Sequence, residues 1–376
     1  MQTARYGGAN AAAPRIAGHF ARHISAAQRD GRVAGPAPSV ETIETIVDAA
    51  FWASLRREEG FVPRISLAYL PPERAHRPLL FERPLPLAPA GLAKVGPAVE
   101  RAGIHLGVWE RDGALSVWGT TRTIPMYCFV LEVNSPGLLV IKHHRGEESG
   151  KFVNVAVLEG DRLMMIDERA SSLPDCPPLL TSLLGFDAPA SWADSVNVLV
   201  QLAASMRGHN RGGALLVVPS GSTSWRESIV QPVPYAISPA FAELADLMKD
   251  PHNDKRRWQE ALARAVDVVA GLTAVDGATI ITDRYELLAF GAKIGRRDGA
   301  PRIESVTVTE PIEGSTATTM NPSEMGGTRH LSAAQFVHDQ QNAVALVASQ
   351  DGRFTVFAWS PCETSVHAHR VEALLL

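Results

Sequence analysis

The sequence predicts an α+β / α/β chain in two domains: an N-terminal α+β domain on a mainly antiparallel sheet, and a C-terminal mixed β-sheet flanked by helices. Three observations predict it. After one clear helix, short β-rich runs joined by glycine turns fill residues 65–166. A proline-rich break follows, with Pro174, Pro177, Pro178 and Pro189. Beyond it, helical patterns alternate with strand patterns, and the first of those strands is apolar throughout, as a strand covered on both faces must be. A length of 376 residues suits two domains of ordinary size.

In order, residues 1–38 are rich in Ala, Gly, Pro and Arg and close on Gly35-Pro36-Ala37-Pro38. They read as a flexible N-terminal tail with one helical turn near 16–24. Ser39 then caps a helix whose apolar residues Val40, Ile43, Ile46, Val47, Ala50, Phe51 and Leu55 keep helical spacing. A strand is expected at 65–70, a proline-interrupted loop or edge at 81–89 and a helix over 90–102. Strands at 104–109 and 115–119 flank Arg111-Asp112-Gly113, a hairpin signal, and further strands follow at 127–133, 137–143, 152–158 and 163–166. The α+β domain therefore covers 39–170, and 171–190 is its linker. In the C-terminal domain, taken as 191–360, we expect a helix at 192–207, a buried strand at 212–218, a helix from Ser238-Pro239 through 249 and another over 255–272. Residues 361–376 read as a C-terminal tail.

Composition excludes several classes of function. A net charge of −4 gives no support for a surface that coats a nucleic acid polymer. Cys128, Cys176 and Cys362 are far apart and form no CxxC pair, which disfavours a zinc ribbon or a disulfide framework and points to a reducing cytoplasm. No stretch approaches eighteen apolar residues, so no membrane segment is expected, and the N-terminus lacks the apolar core of a signal peptide. Cys362, His367 and His369 cluster without further matched zinc ligands. Lys142-His143-His144-Arg145 reads as a solvated hairpin tip, with an anion-meeting loop as the alternative, its two histidines on opposite faces. The hydroxyl-rich loop 219–224 lacks the glycine offsets of a hydrolase elbow and reads as an ordinary flexible loop, with phosphate binding as the alternative.

Two stretches carry chemistry. Asp276-Gly277-Ala278 sets a carboxylate and a permissive glycine before the β-branched run Thr279-Ile280-Ile281-Thr282. Gly327-Thr328-Arg329-His330 sets a glycine turn and two cation-capable side chains before a short helix, 332–336. Taken alone, the first could be a plain hairpin turn and the second a charged helix start. Cations at a helix start oppose the helix dipole, however, unless an anion is bound there. A carboxylate able to hold a metal and a basic helix start able to hold phosphate are two halves of a nucleotide site.

The order of elements, with Gly213-Ala214-Leu215-Leu216-Val217, Asp276-Gly277-Ala278 and Gly327-Thr328-Arg329-His330-Leu331-Ser332-Ala333-Ala334, resembles the diadenylate cyclase (DAC) domain over roughly residues 190–360. That family joins two ATP molecules into cyclic di-AMP, with a metal ion and two domains face to face. The resemblance implies that Asp276 holds Mg2+ or Mn2+ and helps activate the attacking hydroxyl. It implies that Gly277 and Ala278 let backbone approach the nucleotide, that Gly327, Thr328, Arg329 and His330 meet its phosphates, and that the chain forms a homodimer or higher homo-oligomer. Two departures matter. Leu331 stands where the family has a second arginine, and Gln350 in Ser349-Gln350-Asp351-Gly352 where it has a glutamate. The whole chain, with runs such as Phe51-Trp52-Ala53-Ser54-Leu55-Arg56-Arg57-Glu58-Glu59-Gly60 and Lys151-Phe152-Val153-Asn154-Val155-Ala156, resembles the DAC-related sensor group called DACNV. The resemblance thus implies a sensor binding ATP or an adenine-derived cyclic nucleotide. A working cyclase and a ligand-free scaffold stand as alternatives.

Overall fold

The computed structural model describes residues 5–144, 152–167, 198–249 and 255–376. It divides into two units, 1–166 with Leu376, and 167–375. The expected linker, 171–190, lies outside the described residues.

In the first unit, α1 spans Gly7–Arg29, α2 Val40–Ser54 and α3 Pro89–Val95. The 23-residue α1 corrects the expectation of a flexible tail. Its buried residues, among them Ala9, Ala12, Ala13, Ile16, Phe20, Ile24 and Ala27, recur every three or four positions and share a core with Ile43, Ile46 and Val47 of α2. Burying that stripe outweighs the weak helix propensity of Gly7, Gly8 and Pro14. The start of α1 is also tied down: the Tyr6 N–H donates to Asp48 Oδ1 at 2.7 Å, and its ring stacks on Phe51. Ser39 caps α2 as expected, its hydroxyl accepting from the Thr42 N–H at 3.1 Å.

The first sheet comprises β1 Ile65–Tyr69, β2 Leu79–Pro86, β3 His105–Arg111, β4 Ala114–Thr121, β5 Phe129–Ser135, β6 Leu138–His144, β7 Phe152–Glu159 and β8 Arg162–Met165. Their order is β2-β4-β3-β1-β5-β6-β7-β8, antiparallel except between β1 and β3. Pro84 and Pro86 are tolerated because β2 is the edge strand. The hairpin between β3 and β4 turns at Asp112–Gly113, as its sequence requires.

In the second unit the helices are α4 Val198–Gly208, α5 Glu243–Lys249, α6 Lys255–Leu272 and α7 Thr328–Asp339. The strands are β9 Gly213–Val218, β10 Tyr235–Phe241, β11 Ala278–Thr282, β12 Leu287–Ala292, β13 Val306–Thr309, β14 Thr318–Met320, β15 Val344–Ala348, β16 Phe354–Ser360 and β17 Ser365–Arg370. They follow the order β10-β12-β11-β9-β15-β16-β17-β13-β14. The sheet is mixed, with β9/β11 and β13/β17 parallel and its other pairs antiparallel. Alternate residues of β9 point to opposite faces: Leu216 and Val218 pack with Ala333 and Phe336 of α7, whereas Leu215 and Val217 pack with Leu202 of α4 and Val266 of α6. Helices thus cover both faces.

Two expectations are corrected here. Residues 361–376 are no tail: β17 sits between β16 and β13, with Val366 and Ala368 buried at the period of two that a strand needs. Ser238-Pro239 does not start a helix but lies within β10, an edge strand paired to β12, and α5 begins only at Glu243. Edge pairing tolerates the missing proline N–H.

Candidate functional site

The register of the second sheet gathers residues far apart in sequence. β9 is buried at every position. It runs parallel to β11 with Ala214 opposite Ala278, and antiparallel to β15 with Gly213 opposite Ala348. β12 returns beside β11, placing Ala292 opposite Ala278. Gly212, Asp276, Gly277, Lys293, Ser349 and Gln350 therefore all emerge at one end of the sheet. The first turn of α7 meets that end. Gly327, Thr328, Arg329 and His330 line a cavity of about 200 Å3 together with Val347, Ala348, Ser349 and Gln350. The helix begins earlier than expected, so Thr328, Arg329 and His330 are its first residues, and no side chain caps it at Gly327.

Two glycines make the convergence possible. Gly277 has φ +113°, and a Cβ there would stand 2.6 Å from the Gly291 carbonyl oxygen. Gly212 has φ +70°, and a Cβ there would stand 3.0 Å from Arg329 Nη1 and 3.4 Å from Gln350 Cγ. The Arg329 guanidinium thus lies over bare backbone. Ala278 is buried at 1% exposure, and its side chain belongs to the core under α7.

The carboxylate of Asp276 is exposed and ion-paired with Lys293. Its hydrogen bond with Lys293, then that ammonium's charge, hold its pKa below the usual carboxylate range, with Arg329 and the Gly277 N–H adding smaller contributions. Asp276 and Arg329, 53 residues apart (329 − 276) in sequence, thus feel one another's charge. His330 departs from its expected cationic character. It is 3% exposed, its Nε2 lies 3.4 Å from Thr355 Oγ1, and burial pulls its pKa below that of a free imidazole. A neutral ring at the cavity wall offers a hydrogen bond and no charge. Thr328 is exposed and Arg329 half-buried.

Sequence reasoning passed over Gly212 and Lys293. The signal for Lys293 was present, because a hairpin of β11 with β12 must return the residue after β12 to the residues before β11. Gly212 had only its place before an apolar run. Gln350 uses its amide to donate to the Arg211 carbonyl at 3.4 Å, so it is tied to the strand-entry loop.

The other candidates separate from this end. The loop after β9 leaves the opposite end of the strand, and its Ser220 N–H donates to the Asp283 carboxylate at 2.9 Å, an acidic neighbour unsuited to phosphate. A larger cavity, about 730 Å3, lies there too, lined by Val218, Ser222, Ser224, His338 and Asn342; neither motif reaches it. His369 Nδ1 is 2.7 Å from Thr309 Oγ1 and His367 Nε2 is 2.8 Å from Glu363, so each imidazole has its own protein partner. His143 and His144 lie on opposite faces as expected, but both are buried rather than on a solvated tip. Lys142 pairs with Glu132 at 2.6 Å, and residues 145–151 lie outside the described residues.

A metal finds one carboxylate at the site. Among the described residues no group of three or more His, Cys, Asp or Glu side chains could hold an ion. Asp276 alone fits Mg2+ only in the mode that shares one carboxylate with the phosphate oxygens of a nucleotide, and Lys293 competes for it.

Residues 32–122 match the family described as "Probable sensor domain DACNV". The match falls in the first unit and includes the 51–60 run. No curated protein matches the chain. Among solved structures, a crystal structure of a double mutant of DacA from Staphylococcus aureus is similar at 16% identity and a TM-score of 0.24, over 46% of this chain and 83% of that one. At that TM-score the likeness carries no argument. Among the described residues no helix is long and apolar enough to cross a membrane.

Proposed function

We propose that this chain, which carries a DAC-related sensor domain at residues 32–122, binds an adenine nucleotide at the end of its second sheet. The ligand is ATP or an adenine-derived cyclic dinucleotide, with its phosphates at the first turn of α7. One observation carries this: Asp276 and Arg329, from motifs some fifty residues apart, meet at the same end of the sheet, Asp276 just before β11 and the Arg329 guanidinium over Gly212 just before the adjoining β9. Arg329 supplies the guanidinium and the uncapped start of α7 the backbone donors for phosphate. Asp276 is the residue to share a Mg2+ or Mn2+ ion with that phosphate, provided the ion displaces Lys293. The metal would neutralise phosphate charge.

Binding without turnover is favoured over diadenylate cyclase activity. Leu331 brings no second guanidinium to α7 and Gln350 brings no charge. Incubating the full chain with ATP and Mg2+ or Mn2+, then measuring bound nucleotide and cyclic dinucleotide together, tests this. Bound ATP without product, with metal dependence lost in Asp276→Asn, is the expected result. Product would make the chain a cyclase, and absence of any bound nucleotide would make it a scaffold.

A further inference from the structure

Beside the first cavity lies a second, of about 360 Å3, lined by Ile294, Gly295, Arg296, Arg302, Leu331, Ser332 and Gln335. The two share α7: residues 327–330 face the first, and Leu331, Ser332 and Gln335 face the second. By chain continuity its other wall begins right after Lys293, the partner of Asp276. Its lining holds two arginines and no carboxylate. Arg296 and Arg302 are exposed, and among the described residues neither makes an ion pair, whereas the neighbouring Arg297 is paired with Glu227 at 3.1 Å.

Both arginines are carried by anchored backbone. Gly295 donates its N–H to the Ser228 carbonyl at 2.9 Å, and Val230 donates to the Lys293 carbonyl at 2.8 Å. The 8% exposed Gln335 spends its whole amide on the other segment and its own helix. Its Oε1 accepts from the Ile303 N–H at 2.9 Å, while Nε2 donates to the Pro301 carbonyl at 3.1 Å and Asp339 Oδ1 at 2.8 Å. Gln335 therefore fixes the backbone on either side of Arg302 to α7. The nearby Asp339 carboxylate is engaged by Gln335 Nε2 and by the Arg297 N–H, at 2.8 Å each, and does not line the cavity, so a polyanion there can meet both guanidiniums at once. The first cavity, at about 200 Å3, is smaller than the roughly 300–1,000 Å3 usual for a small-molecule site, so a nucleotide there must extend beyond it.

We infer that the Arg296–Arg302 cavity is a polyphosphate subsite, taking a further phosphate of the nucleotide and supplying the cations that Leu331 does not. The inference rests on nucleotide binding at Arg329, and the test keeps the two apart. Titrate the full chain with ATP, AMP and tripolyphosphate, as wild type, as Arg296→Gln/Arg302→Gln and as Arg296→Lys/Arg302→Lys. The glutamine pair is expected to weaken ATP and tripolyphosphate by about tenfold or more and to leave AMP within about twofold, because one phosphate needs only Arg329. The lysine pair, which keeps the charge and binds phosphate as a point charge, is expected to hold tripolyphosphate within about threefold of wild type. Unchanged ATP and tripolyphosphate binding in the glutamine pair overturns the subsite, as does an AMP loss equal to the ATP loss. A lysine pair as weak as the glutamine pair would show that positive charge at these positions does not hold the polyphosphate, and overturns it too. If wild type binds neither ATP nor AMP, nucleotide binding itself fails. Tripolyphosphate binding lost in the glutamine pair would then still support a polyanion subsite, and its absence in wild type would end it.

Discussion

At Gly277 the chain adopts φ +113° with the Gly291 carbonyl standing where a side chain would go. Substitution by alanine meets both obstacles, backbone strain and a backbone clash that no rotamer relieves. Gly277→Ala is expected to destabilise the second unit by about 2–4 kcal/mol, read as a lowered urea midpoint at unchanged slope. A second residue-scale prediction concerns acid. His105 is 1% exposed with Nδ1 2.7 Å from Ser66 Oγ, and burial pulls its pKa down to about 4. The unfolded chain, with an ordinary imidazole near 6.5, binds more protons than the folded chain between those two values. The stability contributed by the neutral ring is therefore complete above about pH 6.5 and lost as the pH falls towards 4, at most roughly 3 kcal/mol. Denaturant midpoints of the first unit at pH 7 and 4.5 should differ accordingly, and His105→Gln should flatten the difference. A pH-independent wild type would show that the ring is charged in the fold.

At the scale of elements, α1 is held to the first unit through Phe20, which is fully buried with its ring centroid 5.4 Å from that of Phe129 in the sheet. Phe20→Ala is expected to cost about 3–5 kcal/mol in the stability of that unit. A cost under 1 kcal/mol would mean that α1 is dispensable. This element also shows where the sequence was readable and where not. The stripe from Ala9 to Ala27 has helical spacing, but alanines in a Gly- and Pro-containing segment resemble an unstructured tail until a sheet is present to bury them. The Asp112–Gly113 hairpin and the buried β9 run were legible, because turn chemistry and continuous apolarity are local signals. β10 was not, since Ser238-Pro239 is also a good helix start and only pairing with β12 decides otherwise. At the site, Asp276 and Arg329 could be named from their glycine-flanked motifs. The place of Gly212, and the neutrality of buried His330, depend on register and burial that no short window carries.

For the whole molecule, the division into two units separates the stretch that matches DACNV, 32–122, from the candidate ligand site, since the Asp276–Arg329 end lies in 167–375. Nucleotide should therefore stabilise the second unit directly. With free ATP at a hundred times its dissociation constant the gain is about 2.7 kcal/mol, visible in calorimetric scans as a raised transition for residues 167–375. The most direct measurement is isothermal titration of ATP into the full chain, as wild type and as Arg329→Gln. Arg329 is half-buried over Gly212 and makes no ion pair among the described residues, so its loss should spare the fold. The expected result is saturable binding by wild type and an affinity weaker by about tenfold or more in the variant, at an unchanged melting temperature. Equal affinity in the two proteins, or no binding by wild type, would contradict a nucleotide site at the first turn of α7.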